Sequence, residues 1–293
     1  MTFMRRREAM ALLAAAAVMP SCGRSNAGTI AVGSKNFTED ITIAEIYAAS
    51  LERAGLKVER RMNLGSTQIA LAAMRRGDVD LYPEYTGTGL IDVLHLPPMH
   101  DARALYAKVA SEFARRFDVT WLDASPVNDS QGLATTRAVA ARYGLRTLSD
   151  CARAARTLRF AAIPEFVARA DALPGLQKAY GGFEFAQVRI YSIGLQYAAL
   201  ERGEADVCAA FTTDSQIAQQ QLAVLEDDRR FWPPYNVAPI VRTSVLRAHP
   251  QIAPALNQVA PLLTDAAVRR LNVLVDVRRM DPADAAAEFL RSV

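Results

Sequence analysis

Ala73-Met-Arg-Arg-Gly-Asp-Val-Asp-Leu-Tyr-Pro-Glu-Tyr-Thr-Gly-Thr88 is echoed by Ala199-Leu-Glu-Arg-Gly-Glu-Ala-Asp-Val-Cys-Ala-Ala-Phe-Thr-Thr-Asp214. Ala, Arg, Gly, Asp and Thr coincide at five of sixteen positions. Each block reads as a helix end, a glycine stop, an aspartate, a short strand and an aromatic followed by threonine. Strands alternating with helices in this way build a largely parallel sheet. The aromatic then falls at the carboxyl end of its strand, where open α/β sheets bind ligands. Two such blocks predict two α/β lobes that offer Tyr85 and Phe211 to one cleft.

The flanking sequence repeats the same alternation. Thr29 to Val32 is a β-branched run that ends in Gly33-Ser-Lys-Asn-Phe-Thr-Glu39, and a helix opens at Thr38 and stops at Gly55. Val58 to Asn63 reads as a strand, and Ser66 or Thr67 caps a helix that Gly77 stops. Thr86 to Gly89 opens another helix. In the second half Gly132 to Thr136, Leu158 to Ala162, Phe185 to Ile190 and Asp206 to Phe211 read as strands. Thr147-Leu-Ser-Asp150 reads as a helix cap, and Gly194 to Arg202 as a helix. Pro233-Pro234 interrupts the chain, and the tail after Pro239 is mostly helical.

Composition narrows the class. The chain has 293 residues, of which 51% are apolar and 22% charged, with a net charge of +3. That is globular, and its length fits two domains. Residues 1–22 carry Arg5, Arg6 and Arg7 before the apolar run Ala9 to Met19, which is the layout of a secretory signal and too short to span a bilayer. Cys22 stands where a lipoprotein signal places its acylated cysteine. Met19-Pro-Ser21 is an imperfect lipobox, so a plain cleaved signal stays open, as does the choice between general and twin-arginine export. Loss of residues 1–21 removes three Arg and one Glu and leaves +1. The basic surplus thus belongs to the leader, and no nucleic-acid face is expected. Cys151 and Cys208 read as buried thiols, without a CxxC or Cys/His metal spacing.

Little in the chain supports catalysis. The three histidines, His95, His100 and His249, sit among prolines and helix ends and read as surface residues. HExxH, Walker A and GxSxG are absent, and Asp92 stands where GxGxxG needs its third glycine. No cofactor is expected, and the chain is read as a non-enzyme. Tyr85, Phe211 and Tyr235, taken with Lys35 and Arg169, point instead to a zwitterion site. Aromatic faces attract a cation, and Lys35 and Arg169 hold a carboxylate.

Six segments together resemble the substrate-binding proteins of osmoprotectant (glycine betaine, carnitine, choline) ABC importers. They are Gly33 to Glu39, Asn63 to Ala70, Asp80 to Thr88, Leu173 to Leu176, Phe211 to Asp214, and Leu225 to Asp228 with Pro233 to Tyr235. The resemblance runs from about Thr29 to Val293. It implies a periplasmic-binding-protein fold of type II, with lobe 1 at 29–127 plus 236–293 and lobe 2 at 128–235. It also implies an extracytoplasmic monomer that hands a quaternary ammonium ligand to an ABC permease and ATPase. The positions matching the family's aromatic cage are Tyr85, Gln131, Phe211 and Tyr235, with Asp129 beside them. Lys35, Thr88 and Arg169 match its carboxylate clamp. Gln131 departs from the pattern, since a ring is usual there. The ligand is then either a weakly held betaine or one with more polar groups, carnitine-like or ergothioneine-like, to which Gln131 donates. A ligand sensor without a transporter is the alternative use of the same fold.

Overall fold

A computed structural model describes residues 28–292. The leader and Cys22 lie outside the described residues. Two five-stranded sheets organise the rest. The strands are β1 (Thr29–Gly33), β2 (Lys57–Arg61), β3 (Leu81–Tyr85), β4 (Val119–Trp121), β5 (Gln131–Thr135), β6 (Arg159–Ala162), β7 (Gln187–Ile190), β8 (Val207–Phe211), β9 (Ala223–Val224) and β10 (Val237–Arg242). The first sheet runs β2-β1-β3-β10-β4 and the second β7-β6-β8-β5-β9. In each, three parallel strands are followed by one antiparallel strand, β10 or β5, that enters directly from a crossing between the sheets.

The sequence echo is a structural one. β3 and β8 hold the same place in their sheets, and Tyr85 pairs with Val237 as Phe211 pairs with Gln131. The two aspartates start the strands by the same device. Asp80 donates its N–H to Ala31 O (2.7 Å) and its carboxylate accepts from Ala31 N (2.9 Å). Asp206 does both with Arg159, at 2.9 and 2.8 Å. Its carboxylate also takes the Arg159 guanidinium as a fork. Gly77 and Gly203 close the preceding helices at φ +81° and +66°, conformations that cost a residue with a Cβ.

Several boundaries differ from those expected. β2 ends at Arg61, because Asn63 turns into the left-handed region (φ 59°). β5 ends at Thr135, because the Thr136 side chain leaves the sheet to cap Arg137–Tyr143. β7 starts only at Gln187 and is exposed along its length. The Thr147–Asp150 capping box is present. The helix that opens at Thr86 passes after one turn into a π-helix, Gly89–Val93. Cys151 and Cys208 are buried free thiols. His95 and His100 are exposed, and His249 is partly buried. Among the described residues, no helix is long and apolar enough to cross a membrane.

The chain crosses between the sheets after β4 and again before β10. The two crossings run side by side, bridged at Asn128 and Asn236. The Asn128 side chain accepts from Tyr235 N (2.7 Å), and the Asn236 amide donates to the carbonyls of Ser125 and Val127. Because β5 and β10 are antiparallel to their neighbours, they begin at the edge where β1, β3, β6 and β8 end. The crossings therefore deliver Asp129, Gln131 and Tyr235 to that edge.

Removal of the Asp206 carboxylate strands a strand-end N–H and a guanidinium fork at the centre of the second sheet. Asp206→Ala is expected to cost about 2 kcal/mol, read as a lower urea midpoint with an unchanged slope. A midpoint within 0.5 kcal/mol of wild type (about the size of an ordinary surface substitution) would refute this role.

Candidate functional site

A cavity of about 610 Å³ lies where the carboxyl ends of β1, β3, β6 and β8 converge. Lys35, Tyr85, Thr88, Asp129, Gln131, Arg169, Phe211 and Tyr235 all line it. The fold thus brings together every residue singled out from the sequence, apart from Cys22. Their hydrogen-bond partners differ from those expected.

Lys35 follows β1 and is 3% exposed. Its ammonium lies 2.7 Å from Glu84 Oε1 and 3.6 Å from Asp40 Oδ2, and 4.5 Å from the centre of the Tyr85 ring. With the Phe37 ring centre at 5.5 Å, it meets two carboxylates and two ring faces of its own chain before any ligand arrives. Burial pushes the Asp40 carboxyl up to about 7, against the pull of Lys35.

Arg169 follows the short helix after β6. Its Nε and Nη2 fork onto Asp171 at 2.8 and 2.6 Å, and Nη2 also reaches Thr88 Oγ1 at 3.2 Å, from one sheet's edge to the other's. Among the described residues Nη1 has no acceptor. Burial raises the Asp171 carboxyl, but Arg169 and the Tyr235 hydroxyl outweigh it and hold the group below the ordinary range.

Asp171 also fixes Tyr235, whose hydroxyl donates to Asp171 Oδ2 at 2.6 Å. Gln131 Nε2 donates to the Tyr235 hydroxyl (3.1 Å) and to Asp171 O (3.0 Å), and Trp232 Nε1 donates to that same carbonyl. The carbonyl can only accept, so the Gln131 amide has one orientation. The hydrogens that the sequence reading reserved for a ligand are spent on the protein, which leaves Oε1. Gln131 thus braces the Tyr235 ring. That ring lies against Gly87, where a Cβ would come within 2.6 Å of its carbons.

Sequence reasoning missed Glu39, Thr213 and Asn272. Glu39 ends the Gly33-to-Glu39 segment, and its place in the first turn of the helix after the Lys35 loop was the available signal. It is buried and accepts from the Tyr85 hydroxyl (2.8 Å) and Asn272 Nδ2 (2.9 Å). The Thr213 hydroxyl lies 2.6 Å from Glu39 Oε2 and 2.6 Å from Asp129 Oδ1. A hydroxyl has one hydrogen, so it donates to only one of these carboxyls. The other contact needs a proton on the carboxyl itself. Asp129 is the better holder, because Thr213 alone serves it. Burial, then the charges of Glu39 and Asp214, push Asp129 well up. Burial also raises Glu39, against its three donors. Asp214, bonded to the Tyr197 hydroxyl, is pushed up to about 7 by burial.

The charge balance follows. Glu39, Asp129, Glu165, Asp214 and Asp276 line the cavity against Lys35, Arg169 and Arg279. Two of those cations already have carboxylates outside the lining. The walls therefore favour positive charge over negative.

These shifts set a pH dependence. Carboxyls with raised values hold protons in the native state that the unfolded chain releases near pH 4. From there to about 7, the value for Asp40 and Asp214, the native state binds more protons and stability falls as pH rises. The unliganded protein is expected to melt at a lower temperature at pH 7.5 than at pH 5. Asp129→Asn is expected to flatten that slope, and an equal slope in the variant would disprove the shared proton.

Comparison with known proteins agrees with the fold. The OpuAC family, the substrate binding domain of ABC-type glycine betaine transport systems, matches residues 28–292. The chain is 34% identical to the glycine-betaine-binding protein of Pseudomonas aeruginosa over 290 residues, covering 96% of this chain and 93% of that one. It is 31% identical to the carnitine transport binding protein of Listeria monocytogenes over 276 residues, covering 93% and 89%. A crystal structure of a glycine betaine/carnitine/choline ABC transporter superposes with a TM-score of 0.74 at 30% identity, over 90% of this chain and 98% of that one. The two-sheet cleft is thus that of a type II binding protein, and the chain belongs to the OpuAC family of ABC-importer substrate-binding domains.

Proposed function

We infer that this chain is the extracytoplasmic receptor of an ABC importer and binds a compound with a quaternary ammonium head. The observation that carries the reading is the pairing of ring faces with buried acid in one cavity. Tyr85, Phe211 and Tyr235 line it together with the Glu39–Thr213–Asp129 bridge. A methylated ammonium cannot satisfy a carboxylate by hydrogen bonding, so it takes ring faces and a nearby negative charge instead. A ligand carboxylate, where there is one, meets Arg169 Nη1 and Thr88. Lys35 supports Tyr85 from behind and is not a second arm of that clamp.

Lobe 1 (29–127 plus 236–293) and lobe 2 (128–235) close about the paired crossings at Asn128 and Asn236. The closed form meets the permease, and the site performs no bond chemistry. Residues 1–22 direct export, with Cys22 as the site of any lipid.

Thermal shift with glycine betaine, choline, carnitine and proline betaine tests the reading. At 100 times Kd, a true ligand stabilises by about 2.7 kcal/mol. No shift with any quaternary amine would sink it. Tyr85→Leu removes a ring face worth about 2 kcal/mol to a desolvated cation and is expected to raise Kd about 30-fold by titration calorimetry. Gly87→Ala, which displaces the Tyr235 ring and crowds the Pro234 carbonyl, is expected to weaken binding without removing a polar side chain. An unchanged Kd in both would place the head elsewhere.

A further inference from the structure

The two acids bridged by Thr213 are not equivalent. The Thr213 hydroxyl oxygen lies 2.6 Å from Glu39 Oε2 and 2.6 Å from Asp129 Oδ1. Glu39 has two further donors, the Tyr85 hydroxyl at 2.8 Å and Asn272 Nδ2 at 2.9 Å. Asp129 has only the Thr213 N–H besides, at 3.4 Å. Three donors suit a carboxylate, and a nearly undonated group suits a carboxylic acid. The bridge therefore runs as a relay: Asp129 O–H to Thr213 Oγ1, and Thr213 O–H to Glu39. Both acids line the cavity.

The surroundings keep that proton in place. Asp40 lies beside Glu39 on the helix after β1, and burial and Lys35 act on it in opposite senses. Asp214, bonded to the Tyr197 hydroxyl, faces the bridge from the turn after β8. Asp276, bonded to Thr38 and Ser215, stands on the C-terminal side. Lys35 acts on Glu39 but already has Glu84 and Asp40. Burial, then the charges of Glu39 and Asp214, hold the proton on Asp129.

A quaternary ammonium head changes this balance. Its charge is fixed at every pH, and it has no N–H to offer the bridge. Beside Asp129 it supplies the neutralisation that the proton supplied, so the proton becomes the group that leaves. We propose that the cavity exchanges a proton for its ligand: a cationic head entering beside Asp129 drives the bridge proton out to solvent. This rests on the quaternary-ammonium reading. The Asp129 O–H bond breaks with its electron pair left on oxygen, the proton passes to water and buffer, and no bond of the ligand changes. The net charge of the site is the same before and after. The free receptor holds the proton and the complex does not, so affinity rises with pH until the free bridge itself titrates. One exchanged proton sets a limit of about tenfold in Kd per pH unit.

Calorimetric titration with choline and with glycine betaine, in buffers of low and high ionisation enthalpy at about pH 6, counts the protons. About one proton released per ligand is expected, with Kd falling as pH rises from about 5 to about 7. Asp129→Asn offers Thr213 Oγ1 a hydrogen on nitrogen, which cannot leave, and is expected to bind with no release and a flat Kd. The neutral carbon isostere of choline, with a tert-butyl group for the trimethylammonium, is expected to bind without release. If the wild type binds either amine with no release and a flat Kd, the exchange is refuted and the cage reading survives. Release that persists in Asp129→Asn, or that the neutral isostere matches, comes from another acid or from closure alone and refutes it too. If neither amine binds at any pH, the cage reading fails and the exchange with it.

Discussion

A carboxylate taken out of water needs a proton, a cation or several hydrogen bonds, and this cleft is arranged around that constraint. Glu84 has Lys35, with the Tyr85 N–H and the Tyr82 hydroxyl beside it. Asp171 has the Arg169 fork and the Tyr235 hydroxyl. Among the described residues Glu39 and Asp129 have no cation within bonding distance, and they meet at a single hydroxyl. The first two are finished structures. The third is a place at the seam where added positive charge lowers the energy of the protein as it stands.

The finished pairs explain how aromatic faces are held at the cleft. A ring that rotates freely loses much of its worth as a cation receptor. Tyr235 is fixed at its hydroxyl by Asp171 and Gln131 and along its face by Gly87. Tyr85 is fixed by Glu39 at its hydroxyl and by Lys35 beneath its ring. Each cation that the sequence assigned to a ligand serves first to neutralise a buried acid of the chain: Arg169 neutralises the Asp171 that aligns Tyr235, and Lys35 neutralises Glu84. Arg169 keeps one nitrogen for other use, and the Lys35 ammonium already has Glu84 and Asp40.

The fold was legible in the sequence because its signals are local. Gly77 and Gly203 mark left-handed helix ends, and Asp80 and Asp206 mark strand starts that bond the parallel neighbour. The two blocks could therefore be matched without knowing what lay between them. The eight cavity positions were also legible, since they sit in segments that share one edge of the sheets. Their pairings were not. Asp171 is two residues from Arg169 and cancels its charge, yet nothing in Arg-Ala-Asp requires that fork. Gln131 looked like a missing ring because its partners, Asp171 O and the Tyr235 hydroxyl, lie 40 and 104 residues away. Glu39 lay within a segment already quoted, but its partners Thr213 and Asn272 come from distant parts of the chain.

The seam also relates binding to closure. Contacts that join the two sheets' edges across the cavity include Arg169 to Thr88, Thr213 to Glu39, Asn272 to Thr213, and Ser215 to Asp276. Glu39 belongs to the helix after β1, while Asp129 and Thr213 stand at the edge of the second sheet. Bringing the edges together brings Glu39 toward Asp129, which is unfavourable unless a proton or a cation lies between them. A ligand shifts such an equilibrium only by its differential affinity for the two states. The cationic head proposed here would have that difference built in, because closure would bring a second carboxylate to it. A neutral solute of the same size gains ring contacts but leaves the repulsion between the acids in place. On that proposal, selectivity for positive charge and selectivity for the closed state would have one physical cause.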